Sequence, residues 1–123
     1  MRSVFHHVAL TVRSLDSSVA YYCNVFGFEV VHSHCADGRG VITHLRQPDS
    51  SFILELIQGD QNTSITQPAV HLGFACTDIS RVEQQLRQYN PGVSLSRTRV
   101  GTEHILIVRD EDGYLIELND GLF

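Results

Sequence analysis

The chain has 123 residues, a formal net charge of −5 and a hydrophobic fraction of 42%, which is the composition of an ordinary globular domain. The acidic balance disfavours a nucleic-acid partner, because it repels the phosphate backbone. All nine basic residues are arginine, so there is no lysine for a Schiff base, a pyridoxal-phosphate site or a P-loop. No apolar stretch approaches the roughly 20 residues that a membrane-spanning helix needs.

Cysteine usage gives an expectation about the cellular setting. Cys23, Cys35 and Cys76 are odd in number, and no two of them have Cys-x-x-Cys spacing. The sequence therefore predicts neither a disulfide framework nor a zinc knuckle. Together with an N-terminal segment that lacks the pattern of a signal peptide, this favours a reduced, cytoplasmic setting.

The first half of the chain predicts a strand, a helix and three further strands. Residues 5–12 alternate and are rich in β-branched side chains, as in a strand. Capping residues at 14–18 precede a helix that ends at Gly27. The apolar positions of this helix are Val19, Tyr22, Cys23 and Phe26. The other strands are predicted over residues 28–33, 41–46 and 51–58.

The second half repeats this order after a polar segment, residues 61–68, that predicts a linker. A strand over residues 69–76 leads to a helix that begins at Thr77-Asp78 and ends at Asn90-Pro91-Gly92. The apolar positions of this helix are Ile79, Val82, Leu86 and Tyr89. The remaining strands are predicted over residues 93–98, 104–109 and 114–119.

The repeated order indicates an internal duplication, with modules at residues 1–60 and 69–123. Each module is too small to bury a core alone, so we expect the two to pack on each other or on a second chain. The predicted class is α+β, with two tandem βαβββ modules in one domain.

One histidine and one glutamate recur at equivalent places in the two modules. Glu55 follows His7 by 48 residues, and Glu117 follows His71 by 46. A carboxylate between aliphatic residues of a core strand is costly to bury unless it is paired or bound to a metal. A solvent-facing position is the simpler explanation of one such glutamate. The repetition favours a site for a divalent metal such as zinc, nickel, cobalt or manganese.

The four other histidines in the first module have simpler explanations. His32 and His34 lie two apart on one predicted strand, so they share a face and could form a rival metal-binding pair, but solvated surface histidines are the favoured explanation. His6 is adjacent to His7 and is expected on the opposite face. His44 is expected at the surface.

Five stretches of the chain carry short motifs. Some of these motifs are common alone, but their order and spacing together are specific to one protein family. They are residues 7–12, 21–30, 53–56, 71–74 and 110–118. Together they resemble the vicinal-oxygen-chelate superfamily, which includes glyoxalases, bleomycin-resistance proteins and extradiol dioxygenases. The resemblance implies paired βαβββ modules whose sheets curl around a central metal.

Within that superfamily the predicted ligands are most similar to those of glyoxalase I. The resemblance implies a divalent ion (nickel, cobalt or zinc, with manganese as an alternative) held by His7, Glu55, His71 and Glu117. It implies enolisation of an α-hydroxy carbonyl, for example a hemithioacetal, with Glu117 as first candidate for the catalytic base and Glu55 as second. It also implies a homodimer, with each site closed within one chain or shared between two.

Residues outside the four ligands leave the substrate open. Glyoxalase I proteins hold glutathione partly with an arginine and an asparagine at the positions of Thr11 and Gly59. His104 is expected on a strand that lines the same pocket, where it would contact a ligand or the substrate, or simply be an edge histidine. Arg97 and Arg99 are candidates for binding a substrate carboxylate, although exposed arginines are the default.

Two other functions remain open from the sequence. One is a metal-free small-molecule binding protein of the bleomycin-resistance type, which would need none of the four ligands. The other is a metal-dependent transferase or dioxygenase, in which Glu55 would be a surplus ligand.

Overall fold

The computed structural model describes residues 5–36, 40–60, 62 and 71–121. The chain divides into two compact units, residues 1–64 and 65–123. Each unit contains one helix and one four-stranded mixed sheet in the order βαβββ. This confirms the predicted α+β class with two tandem modules. Most of the predicted linker, and residues 69 and 70 of the predicted strand after it, lie outside the described residues.

The first unit forms a sheet with the strand order β1-β4-β3-β2. The first strand is parallel to β4, and the other neighbours are antiparallel. Its elements are β1 (His7–Val12), α1 (Leu15–Phe26), β2 (Glu29–Ala36), β3 (Gly40–Arg46) and β4 (Ile53–Gln58).

The second unit repeats this topology with the order β5-β8-β7-β6. Again the first strand is parallel to the last, and the other neighbours are antiparallel. Its elements are β5 (Leu72–Ala75), α2 (Ile79–Tyr89), β6 (Ser96–Val100), β7 (Glu103–Arg109) and β8 (Leu115–Asn119).

Helix α1 begins and ends as predicted but buries a different stripe. The Ser14 hydroxyl accepts a hydrogen bond from the Ser17 amide, and Gly27 ends the helix in the left-handed conformation with φ 70°. The buried residues are Leu15, Ser18, Tyr21, Tyr22 and Val25. Of the four predicted positions, Tyr22 alone is among them.

A contact between distant parts of the first unit lies at the start of this helix. The Gln58 side chain accepts a hydrogen bond from the Leu15 amide at 2.7 Å and donates one to the Arg13 carbonyl at 2.8 Å. It thereby fixes the start of α1 against the end of β4. Leu15 then faces the core, and residues at helical spacing from Leu15 follow it there.

Helix α2 is less deeply buried than α1. Asp78 caps it by accepting a hydrogen bond from the Arg81 amide. Of the four predicted apolar positions, Ile79 and Leu86 are buried, whereas Tyr89 is 42% exposed. The strand predicted from Val93 begins only at Ser96, because the Val93 amide bonds to the Asn90 carbonyl and continues the turn.

No helix in the described part of the chain is long and apolar enough to cross a membrane. The three cysteines are free thiols. Burial is the main cause that raises the pKa of Cys23 and of Cys76 above the usual thiol value.

Candidate metal centre

The first unit brings His7 and Glu55 together on one face of its sheet. Ala9 of β1 lies beside Glu55 of β4, and His7 is two residues before Ala9, so it shares that face. His7 Nε2 lies 3.8 Å from Glu55 Oε2. The Glu55 residue is buried, with 6% of its surface exposed.

A second histidine contacts the same carboxylate. His44 of β3 is the cross-strand partner of Glu55, and its Nε2 lies 2.8 Å from Glu55 Oε1 in a hydrogen bond. Each carboxylate oxygen of Glu55 therefore has its own imidazole neighbour. The expectation that His44 is a surface residue was wrong, since this half-buried side chain is part of the site.

The second unit brings His71 and Glu117 together in the same manner. Gly73 of β5 lies beside Glu117 of β8, and His71 is two residues earlier. His71 Nε2 lies 3.4 Å from Glu117 Oε2. The position that corresponds to His44 is occupied by Ile107, the cross-strand partner of Glu117 on β7.

A tight turn sets the start of β8 and hence the position of Glu117. The buried Asp110 accepts hydrogen bonds from the amides of Asp112 and Tyr114 at 3.0 and 2.9 Å. Gly113 within the turn has φ 93°, a conformation that favours glycine. The Asp-x-Asp-Gly motif thus directs the chain into the strand that carries Glu117.

The donor atoms of the pairs lie close to the separation that a shared ion requires. Two ligands that each bind one ion at about 2.1 Å lie roughly 3 to 3.5 Å apart. The His71–Glu117 pair, at 3.4 Å, is within this range, and the His7–Glu55 pair, at 3.8 Å, is slightly beyond it. Among the described residues, no three or more His, Cys, Asp or Glu side chains are arranged to hold a metal ion. Each unit thus presents a pair, and the joining of the two pairs stays a prediction.

The three predicted substrate-binding residues lie on the other face of the second sheet. Leu106 of β7 is fully buried on the face opposite to Ile107 and Glu117. Arg97 is the cross-strand partner of Leu106, and His104 lies two residues before Leu106 on the same strand, so both share its face. Arg99 pairs with His104 and shares that face. The structure therefore does not bring any of the three to the Glu117 side chain.

Their contacts on that face are local. Arg97 donates to the Ser80 hydroxyl at 3.4 Å, and Arg99 donates to the Gly101 carbonyl at 3.0 Å. His104 contacts Asp120 through its backbone amide at 2.7 Å and through Nδ1 at 3.0 Å. The hydrogen bond from the His104 backbone is the largest cause that lowers the pKa of Asp120.

His6 also differs from expectation. It lies just before β1, so strand alternation does not apply to it. Its Nδ1 lies 3.0 Å from Nδ1 of His7, and its ring is therefore beside the His7 ring rather than on the opposite face.

The role of His44 was within reach of the sequence. Strands were predicted over residues 41–46 and 51–58, and antiparallel pairing across the short segment between them places His44 opposite a residue near Glu55. The pairing of side chains across the predicted strands was the signal that would have identified it.

Comparison with known proteins identifies the family. A sequence profile of the Glyoxalase/Bleomycin resistance protein/Dioxygenase superfamily matches residues 4–118. The chain belongs to this superfamily. The members of the superfamily include enzymes.

One curated relative in the superfamily is the catechol-2,3-dioxygenase of Bacillus subtilis (strain 168), which is 28% identical over 121 residues. The match covers 91% of this chain and 39% of the relative. The chain thus spans about two fifths of the length of this dioxygenase.

Solved structures of superfamily members share the fold over nearly the whole chain. The fosfomycin resistance protein FosX from Listeria monocytogenes, complexed with Mn(II) and sulfate, has a TM-score of 0.79 at 18% identity and covers 100% of this chain and 96% of its own. The trypanothione-dependent glyoxalase I of Leishmania major has a TM-score of 0.76 at 22% identity, and the match covers 97% of this chain and 87% of the Leishmania chain. A glyoxylase/bleomycin resistance protein/dioxygenase domain from Frankia sp. EAN1pec has a TM-score of 0.79 at 24% identity, and the match covers 98% of this chain and 99% of the Frankia chain.

Proposed function

We propose that this protein is a divalent-metal-dependent enzyme of the glyoxalase I type, a lyase or isomerase that moves a proton at the carbon next to a substrate carbonyl. The observation that carries the proposal is the repeated pair, in which a histidine Nε2 faces a glutamate carboxylate on equivalent strands of both modules. A resistance protein of the same fold that holds Mn(II) supports the metal. We propose a cytoplasmic setting, because the cysteines are free thiols.

The donor set suits the proposed ion. His7, Glu55, His71 and Glu117 offer two imidazole nitrogens and two carboxylates, a set that nickel, cobalt, zinc and manganese all accept. We propose that the two pairs hold one ion, either within a chain or between two chains of a homodimer. The bound ion would polarise the substrate carbonyl and so make the adjacent carbon more acidic.

The two glutamates have different surroundings, which suggests different roles. Glu55 is buried and hydrogen-bonded to His44, so its carboxylate is held in place. The Glu117 side chain is 31% exposed, and the residue across from it is the aliphatic Ile107. A base must be able to move between proton donor and acceptor positions, so we assign the proton transfer to Glu117.

The proposed reaction is a proton shift within the substrate. A Glu117 carboxylate oxygen takes the proton from the carbon next to the carbonyl, and the same oxygen returns it to the neighbouring carbon. No net proton, electron or co-reactant is consumed. The chemistry requires a small molecule with oxygens on adjacent carbons, such as an α-hydroxy carbonyl or a hemithioacetal.

Elemental analysis of protein purified without chelator tests the metal centre. We expect about one divalent ion per chain in the wild type and much less in Glu55→Ala and Glu117→Ala. The matched control is Glu83→Ala, which removes a glutamate on helix α2 that belongs to neither pair. Proton exchange at the substrate carbon is then assayed with hemithioacetals and other α-hydroxy carbonyls.

Two results would contradict the proposal. A wild type that holds no metal, even after reloading, would indicate a small-molecule binding protein of the bleomycin-resistance type. A stoichiometric metal without turnover of any α-hydroxy carbonyl, but with cleavage of a catechol, would indicate a dioxygenase like the curated relative.

A further inference from the structure

The first sheet carries more imidazoles than the proposed centre uses. His32 and His34 lie two residues apart on β2, and both are exposed. Their ring centroids are 4.8 Å apart, with the ring planes tilted by 32°. Two side chains on the same face of a strand at this separation are placed to bind one ligand together.

His44 connects this pair with the Glu55 carboxylate. His32 is the cross-strand partner of His44, and the His44 ring centroid lies 6.2 Å from that of His32 and 6.1 Å from that of His34. On its other side, His44 hydrogen-bonds to Glu55 and lies 5.8 Å from the His7 ring. A continuous series of imidazoles therefore runs from exposed β2 to the proposed centre.

The described residues of the second unit, 71–121, contain no such series. The residues of β6 that correspond to His32 and His34 are Ser96 and Thr98, which pair with Ile107 and Ile105 on the Glu117 face. The His/Glu pair is duplicated, whereas the additional imidazoles on the glutamate face lie in the first unit, since His104 of the second unit is on the opposite face. The duplication of the fold therefore does not account for His32 and His34.

We propose that His32 and His34 form a second metal-binding site on the surface of β2, for a borderline divalent ion such as zinc, nickel or copper(II). Imidazole nitrogens are good ligands for these ions, and two rings that share one ion through bonds of about 2.1 Å have centroids roughly 5 Å apart. The net charge of −5 favours cations at the surface. Two protein ligands leave the remaining positions to water, so the ion exchanges readily.

The role of this pair rests on the proposed function. An exchangeable site next to a four-residue centre is suited to take up an ion before the centre binds it. His44 lies between the two sites and is hydrogen-bonded to one of the ligands of the centre. We infer that the pair accelerates loading of the centre without changing how tightly the loaded ion is held.

Equilibrium dialysis of the full chain against zinc tests the site directly. We expect the wild type to bind about two zinc ions per chain at saturation, and His32→Ala/His34→Ala to bind about one. The control variant His104→Ala removes another partly exposed histidine, on the second unit, and should still bind two. Because His32 and His34 are exposed, their replacement should leave the fold intact, which circular dichroism verifies.

A second variant separates this inference from the proposed function. Glu55→Ala/Glu117→Ala should lose the tightly bound ion and retain the weaker one at His32 and His34. If that variant loses nothing, the proposed centre is wrong while the surface site stands. If His32→Ala/His34→Ala binds as many ions as the wild type, the surface site is wrong whatever the centre does.

The loading role has its own measurement. The metal-free wild type and the His32→Ala/His34→Ala variant are mixed with a limiting concentration of zinc, and occupancy of the tight site is followed over time. We expect slower loading in the variant with the same final occupancy. Equal loading rates would overturn the role of the pair as an entry site.

Discussion

Glu55 and Glu117 occupy equivalent strands of the two units, but their neighbours differ. The Glu55 side chain is 8% exposed and contacts two imidazoles, those of His7 and His44. The Glu117 side chain is 31% exposed, and its ion-pair partner among the described residues is His71. Ile107 stands where the first unit has His44.

This difference shows how a duplicated fold can give two copies of one residue different properties. Both units keep the strand order and the His/Glu pair, so both keep the geometry of a ligand pair. A single position on the neighbouring strand then decides whether the carboxylate is also hydrogen-bonded. In the proposed centre, one copy is fixed as a ligand and the other is free to transfer a proton.

The largest expected effect comes from replacing each glutamate with glutamine. This change keeps the shape of the side chain and removes its ability to accept a proton. Glu117→Gln should lower kcat by roughly 10²- to 10⁴-fold, the usual contribution of a general base, while much of the metal stays bound. Glu55→Gln should reduce metal affinity more than it reduces kcat at full metal occupancy.

Steady-state kinetics at saturating metal, with occupancy measured in the same samples, distinguish the two variants. Full activity in Glu117→Gln would refute its assignment as base. If Glu55→Gln at full occupancy is the more damaged variant, the roles of the two glutamates are reversed.

A smaller effect is expected from exchanging the residues opposite the glutamates. His44→Leu removes a hydrogen bond to the buried Glu55, a proposed ligand, and the loss of such a contact typically weakens metal binding about 10- to 100-fold. Ile107→His would give Glu117 the neighbour that Glu55 has, and should lower kcat without weakening metal binding. Competition with a chelator measures the affinity, and an unchanged affinity in His44→Leu would remove His44 from the centre.

The fold and the two pairs were predictable because they repeat. The order of elements and the spacing from His7 to Glu55 and from His71 to Glu117 are properties of the chain alone. One copy of this pattern would have been weak evidence, but its repetition in both modules supported the prediction. The capping residues Ser14 and Asp78 also marked where each helix begins.

The residues around the pairs were harder to predict, since their positions depend on how strands pair. Arg97 and Arg99 were chosen by type and by closeness in sequence, whereas the register turns them to the helix side of the sheet. The stripe of α1 was misplaced for a similar reason, because which helix face is buried depends on contacts with residues distant in sequence, such as that of Gln58 with Leu15, 43 positions apart. Sequence periodicity defines a face but not the partner of that face.

The smallest expected effect concerns His104, on the face of the second sheet opposite to Glu117, and its hydrogen-bond partner Asp120. Hydrogen bonds from His104 lower the pKa of Asp120, the backbone amide most of all. This carboxylate therefore contributes stability above its unfolded-state pKa, and the contribution is lost as the pH falls through the lower folded-state value. In His104→Ala the backbone amide remains, so the pKa of Asp120 should rise only part of the way to normal, as an NMR titration of its carboxyl carbon would measure.

Because the pair lies away from Glu117, turnover should change by no more than about twofold. A large loss of turnover in His104→Ala would instead place His104 at the substrate, as the sequence had suggested, and the assignment of the two faces would have to be revised.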